Sequence, residues 1–391
     1  MVKSSIREID ILFLLSVLSL VSIGIVMVYS SSSFYALEIT KLKSTSIFLK
    51  RQLIPIMIGI ALFLIIAVTN YSIWKKFAKI FLVLGFCMLI FVLIWGTEIN
   101  GAKRWIVIMG RSFMPVDFAR LFLFIYLASV LSSKRRKKED FLHGFLPLFG
   151  ITMAYVVLIL IQPNFSSALS VLLVSGMLLF VGGAKSKHIF FSLFLLLLII
   201  PILIKALNFQ YILKRIDLFF DLIRGNPPYQ IQQSLIGIGS GGFFGLGLGA
   251  GREKLLFLPM SYSDFIFAII AEELGFLRAA IILSLFLFLF ILGIKISRNA
   301  KDEFGRLLGF TLTVNIFVNA LLHIGIVLGV LPTSGLPLPF VSFGGSSLLA
   351  NFIAVGILLN ISMNSNKERN ENYYSSGWNR GASLPWYRNR S

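Results

Sequence analysis

Ten stretches of this chain, at 9–30, 53–69, 77–96, 117–133, 145–161, 167–182, 189–206, 264–293, 307–330 and 348–363, are almost wholly apolar and close to bilayer-spanning length. A helix rises about 1.5 Å per residue, so roughly 20 apolar residues cross a hydrocarbon core of about 30 Å. The expected fold is therefore an all-α polytopic membrane protein of about ten transmembrane helices. Composition agrees, with 57% hydrophobic residues, 38 Phe and a mean hydropathy of +0.88, so the 391 residues count spans rather than soluble domains. The first run, from Ile9 to Tyr29, is too long for a signal-peptide core and lacks an A-x-A site, and is read as a retained helix.

Basic residues outnumber acidic ones, 36 to 17, giving a net charge of +19. In a soluble protein that excess would point to nucleic acid; in a membrane protein it reports cytoplasmic loops and anionic lipid headgroups, so membrane lipids and not nucleic acid are the expected partners. Lys3 and Arg7, Lys75 and Lys76, "KRRKK" at 134–138, Lys185 and Lys187, "SRNAKDEFGR" at 297–306 and the tail alternate with loops poorer in base. Both termini are then cytoplasmic, and 207–263, between helices seven and eight, is a large extracytoplasmic loop. Residues 1–363 read as one transmembrane domain and 364–391 as a polar tail, disordered or partner-bound. The one cysteine, Cys87, allows no intramolecular disulfide and reads as packing; His143, His188 and His323 lack metal-ligand spacing, and no Gly-x-Ser-x-Gly elbow appears.

Ionisable side chains inside a bilayer cost about 3 kcal/mol or more, so each needs a partner or a purpose. Asp117 and Arg120, at i and i+3, either neutralise each other or offer Arg120 to phosphate. In "SYSDFIFAIIAEELGF" (261–276), Asp264 begins its helix, where it either favours the dipole or faces a cavity. Glu272 and Glu273 lie deeper; helical phase favours Glu272 lining that cavity and Glu273 meeting a neighbouring helix, with Arg278 or His323 as partner. The long loop carries Lys214, Arg215, Arg224, Arg252 and Lys254 against Asp217 and Asp221, and includes "GIGSGGFFGLGLGAG" (237–251), read either as a tight re-entrant turn or as backbone amides offered to an anion.

"GAKRWI" (101–106), "YQIQQSLIGIGSGGFFGLGLG" (229–249), "FLPMSYSDFIFAIIAEELGF" (257–276) and "GVLPTSGLPLPFVSFGGSSLL" (329–349) resemble the SEDS proteins, the shape, elongation, division and sporulation family of RodA and FtsW. The likeness covers nearly all of the chain but the tail. "VYSSS", "FLKRQL", "FVGGAK" and "GREKLLFLP" sit closer to the division member FtsW than to RodA. The resemblance implies a ten-helix peptidoglycan glycosyltransferase of the bacterial cytoplasmic (inner) membrane that polymerises lipid II beside a class B penicillin-binding protein transpeptidase. It places the catalytic aspartate on Asp264, the outer-loop arginine on Arg104 and the family's Arg-Gln pair on Arg51 and Gln52. A family Q-P-S-E-x-x-K pattern falls on Met114 to Arg120, with Asp117 for Glu and Arg120 for Lys; Asn164, in "QPNFSSA", stands where the family has Asp.

The implied reaction needs a base for a sugar hydroxyl and cations for a leaving pyrophosphate. Asp264 is the expected base. Arg51, Lys103, Arg104, Asp117, Arg120, Gln233, Arg252, Lys254 and Glu272 form the expected substrate-binding set, with no protein-bound cofactor and Mg²⁺ as an alternative to arginine on the pyrophosphate. A lipid II flippase or transporter is the rival reading, and a scaffold for the transpeptidase a third.

Overall fold

The computed structural model describes residues 8–38, 44–99, 101–108, 110–133, 140–192, 194 and 210–381. Its helices run in order as α1 (Glu8–Glu38), α2 (Ile47–Val68), the short α3 (Ser72–Lys76), α4 (Ala78–Trp95), α5 (Val116–Leu131), α6 (Leu146–Ile161) and α7 (Phe165–Val181). After the long loop begins come α8 (Gln210–Ile223) and α9 (Tyr229–Gly241), then α10 (Ile266–Arg298), α11 (Glu303–Val327) and α12 (Gly345–Gly381). Among the described residues seven helices are long and apolar enough to cross a membrane, and α7 is a shorter apolar one, so the chain is a multi-pass membrane protein. The span expected at 189–206 and the basic run at 134–138 fall largely or wholly outside the described residues.

Burial follows the side chains. The spanning parts of α11 and α12 are 78% and 89% buried and form the centre, whereas α4, apolar on every side, is 22% buried and leaves most of its surface to lipid. A three-stranded antiparallel sheet, β1 (Thr97–Ile99), β2 (Ala102–Ile108) and β3 (Arg111–Phe113), joins α4 to α5, an addition to the all-helical expectation. Its "RWIVI" run is rich in aromatic and β-branched residues, which suit an extended, half-buried ribbon. This sheet marks one end of the bundle, called here the hairpin end. At the opposite end, Asn360 receives the Tyr71 amide at 2.8 Å and Tyr71 Oη donates to Asp302 at 2.7 Å.

The 33-residue α10 is not continuous. Gly275 has φ 81° and ψ 173°, which breaks the helix about two and a half turns after its start at Ile266. The freed backbone groups pair with the Gly-rich loop: Leu246 N donates to Glu272 O at 3.0 Å, Gly247 N to Glu273 O at 3.0 Å, Phe276 N to Gly242 O at 2.9 Å and Leu277 N to Phe243 O at 3.2 Å. A Cβ on Gly275 would stand 2.2 Å from Gly245 N, so the two backbones meet only because neither carries a side chain there. Of the two readings of the Gly-rich stretch, the re-entrant turn is the one these contacts favour. Irregular backbone at membrane depth needs partners of its own, and these amides already have them.

Candidate active site

Asp264 lies in a strained turn just ahead of α10. Met260 has φ 56°, the left-handed region that a side chain makes costly, and its carbonyl accepts the amides of Ser263 (3.1 Å), Asp264 (3.1 Å) and Phe265 (3.4 Å). The turn is clamped from two sides. Tyr262 packs in an aromatic cluster with Tyr35, Phe48 and Phe343, and the loop before α12 bonds to the turn through Phe343 N to Tyr262 O (3.0 Å) and Ser342 Oγ to Ser263 O (2.7 Å). Gln52 donates in turn to Ser342 O at 3.2 Å. Phe265, not Asp264, occupies the cap of α10, and no side chain bonds the cap. The carboxylate of Asp264 is thus free of a capping role and is partly exposed.

The charges of two guanidinium groups act on it, those of Arg104 and Arg215. Arg104, on β2, gives its Nε to Gln162 O at 3.2 Å and lies 5.5 Å from the Trp105 ring centre. Arg215, on α8, lies 6.0 Å from the Tyr211 ring centre, and Tyr211 Oη is tied to Leu160 O at 2.8 Å. Among the described residues neither arginine forms a salt bridge. Burial raises the Asp264 carboxyl from its ordinary value to about 6, with Arg104, the Ser263 hydroxyl and Arg215 pulling the other way. Burial and the charge of Arg215 together lower Arg104 to about 10. A carboxylate that holds its proton near neutrality, near cations that form no salt bridge among the described residues, can accept a proton and receive an anion.

The other expected residues divide sharply. Arg51, Lys103 and Arg252 are exposed and Gln233 is partly so, leaving them open to a ligand. Asp117 and Arg120 are both buried and pair at 3.0 Å, with Arg120 Nη1 also donating to Asn319 Oδ1 at 3.2 Å; the pair is satisfied inside the bundle and closed to substrate. Lys254 is buried as well, its Nζ 2.5 Å from Glu273 Oε1 and 3.1 Å from Ser30 Oγ. Glu272 is 1% exposed and accepts the amides of Arg252 (2.6 Å) and Glu253 (3.3 Å). Glu272 therefore anchors the Gly-rich loop instead of lining the Asp264 cavity, and Glu273 is partnered by Lys254 and Ser30 rather than by Arg278 or His323. The break at Gly275 is the cause, because it lets the loop run alongside α10 and offer amides to both carboxylates.

Several site residues carry no chemical signal of their own in the sequence. Gly335 packs against Asp264; Leu336 O accepts from His323 Nδ1 at 2.7 Å; Ser334 meets Ser166. Asn164 caps α7 by accepting the Ser167 amide at 3.4 Å, a task that needs no charge, so Asn serves where the family has Asp. Among the described residues no three His, Cys, Asp or Glu side chains are grouped to hold a metal ion. One carboxylate between two guanidiniums is also a poor donor set for a resident cation.

The family model described as Cell cycle protein, covering FtsW, RodA and SpoVE, matches residues 10–367. A probable peptidoglycan glycosyltransferase FtsW from Trichlorobacter lovleyi is 38% identical over 364 residues, 91% of this chain and 93% of that protein. Stage V sporulation protein E of Bacillus subtilis is 36% identical over 358 residues, 90% of this chain and 96% of that one. Among solved structures, a chain from "Structural coordination of polymerization and crosslinking by a peptidoglycan synthase complex" has a TM-score of 0.70 at 24% identity, covering 90% of this chain and 97% of its own. RodA of Thermus thermophilus has a TM-score of 0.66 at 24% identity, covering 90% and 95%. Matched by one family model over nearly its whole length, and by a relative 38% identical across nine-tenths of it, the chain belongs to the FtsW/RodA/SpoVE cell cycle protein family.

Proposed function

We propose that this chain is a peptidoglycan glycosyltransferase that polymerises lipid II, the undecaprenyl-diphosphate-linked disaccharide peptide, into glycan strands. The observation that carries the reading is Asp264, a partly exposed residue whose carboxyl has raised proton affinity and feels the charges of Arg104 and Arg215. Asp264 takes the proton from the 4-hydroxyl of the incoming sugar as that oxygen attacks the anomeric carbon of the growing strand. The bond from that carbon to the diphosphate breaks, and the departing negative charge passes to the arginines. Among the described residues no second carboxylate acts on Asp264, and a single displacement then inverts the anomeric centre. Exposed Arg51, Lys103 and Arg252, with Gln233, supply the outer contacts to phosphate and sugar. Mg²⁺, where required, arrives on the diphosphate.

In this reading the protein lies in the bacterial cytoplasmic membrane with ten spans, both termini in the cytoplasm, the hairpin end outside and the seventh span at 189–206. A class B penicillin-binding protein crosslinks the product; the structural neighbour named for coordinated polymerization and crosslinking supports that pairing. The transporter reading draws its support from charges inside the bundle. Those charges, at Asp117 with Arg120 and Glu273 with Lys254, are neutralised by protein partners, and Glu272 is held by backbone amides, so among the described residues these groups are bound within the protein rather than offered to a cargo. The test is polymerisation of purified lipid II in detergent, where there is no bilayer to cross. The wild-type protein should make glycan strands and Asp264→Asn none; strands from the variant would remove the base assignment.

A further inference from the structure

The helix α8 separates its charges in an unusual way. At about 100° per residue, Lys214, Asp217 and Asp221 fall within about 60° of one another, whereas Arg215 lies about 100° from the nearest of them. Arg215 stands instead among Tyr211, Leu218, Phe219 and Leu222, the half-buried residues that turn towards the protein, where Leu218, Phe219 and Leu222 line a small recess with Pro228, Ile231 and Pro332. A third stripe, Leu213, Phe220 and Ile223, is exposed. A helix with one side on protein, one apolar stripe uncovered and one charged face is shaped for a membrane surface, with the stripe among acyl chains and the charges in water.

A guanidinium on the inward side is costly unless it has a counter-ion. Arg215 is partly buried, stacked on Tyr211, and among the described residues makes no salt bridge, while Arg104 uses only Nε for the protein. Two cations face one carboxylate, so the cluster carries a net positive charge, and both guanidinium edges remain for bidentate bonds to phosphoryl oxygens.

We propose that α8 is an interfacial arm that seats Arg215 on the diphosphate of the lipid-linked substrate, so that Arg104 and Arg215 form a two-guanidinium clamp across Asp264. This rests on the glycosyltransferase reading and adds to it the residue and the element that grip the polyprenyl diphosphate. The clamp meets the diphosphate where it leaves the bilayer, because the same helix that carries Arg215 dips its opposite stripe into lipid.

The test uses the full-length purified protein with lipid II and with inorganic pyrophosphate as a competing anion. Arg215→Gln should raise KM for lipid II about tenfold or more and weaken pyrophosphate inhibition by a similar factor, with Arg215→Lys in between. Lys214→Gln, on the water-facing side, should leave both within about twofold, and the thermal melts of all three should match the wild type. Arg215→Gln with unchanged KM and unchanged pyrophosphate inhibition would overturn the clamp. A wild-type protein that fails to polymerise would instead remove the underlying activity. In vesicles, tryptophan fluorescence introduced by Phe220→Trp should be quenched by lipids brominated on their acyl chains; absence of quenching would overturn the interfacial placement.

Discussion

Gly335 and Asp264 touch with no space for another atom: a Cβ at residue 335 would stand 2.8 Å from Asp264 Oδ2. The backbone of Gly335 has no left-handed φ, so the constraint is one of room alone. In Gly335→Ala the short Asp264 side chain has to move, since it is the nearest atom to the new methyl. A displaced base costs on the order of 10²-fold in rate for about 1 Å, so kcat should fall about 10- to 100-fold while the melt changes little. Steady-state polymerisation with a thermal melt in the same detergent checks this. Equal losses in both would show that the loop, not the base, had given way.

The proton affinity of Asp264 sets a pH dependence. Below about 6 the carboxyl is protonated and cannot accept from the sugar hydroxyl, so kcat/KM should rise with pH through that value. For stability the sign is opposite. The folded state holds this proton more tightly than the unfolded one, so the contribution of Asp264 is most favourable below its ordinary carboxylate value and declines as pH rises to about 6. Asp264→Asn should therefore be inactive yet more resistant to unfolding at pH 8, by on the order of 1 kcal/mol after solvent screening. Arg104→Gln removes the larger of the two cationic influences and should move the acidic limb to higher pH.

The buried ion pair of Lys254 and Glu273 offers a separate test. Glu273→Gln leaves the Lys254 ammonium in the protein interior without its direct ion-pair partner, with Ser30, an amide and the charge of Glu272 nearby, and should destabilise by about 3 kcal/mol. The double change Lys254→Met with Glu273→Gln should recover part of that loss, because no unpaired charge stays buried. Unfolding followed by scanning calorimetry or denaturant in detergent measures both.

Two glycines that look equivalent in the sequence should behave in opposite ways. Gly275→Ala forces a side chain onto φ 81° and into the backbone of Gly245, and should abolish folded, monodisperse protein. Gly239, in α9, has helical backbone and nothing within 4 Å of its added Cβ, so Gly239→Ala should be neutral or stabilise by up to about 1 kcal/mol. Size-exclusion profiles of the two variants decide the point.

Hydropathy alone exposed most of the membrane helices, because a spanning helix needs a long apolar run and little else. The place of Asp264 just ahead of α10 is legible as an acid at the edge of an apolar run. Glu273 meets a neighbouring helix as expected, at Ser30 of α1, but its cation is Lys254, and Glu272 faces the loop for a physical reason: counting 100° per residue from Asp264 takes Asp264 as helical, whereas the helix begins only at Ile266. Lys254 looked like a loop cation open to substrate, yet its partner is Glu273, 19 residues further on. Such a pairing follows from the loop doubling back, which no local pattern encodes. Arg215 was readable in principle as the one charge out of phase in "YILKRIDLFFDLI", but its significance depends on Arg104, a distant residue on β2.

The pairing that fixes the two glutamates in α10 also bears on how the chain enters the membrane. Ser30, Gly249, Arg252, Glu253 and Lys254, which hold Glu272 and Glu273, all come earlier in the polypeptide. During synthesis, then, the counter-charge and the amides have left the ribosome before the acids do. The two acids of an otherwise apolar helix meet their complement already made, and α1 stays beside the insertion site until α10 arrives.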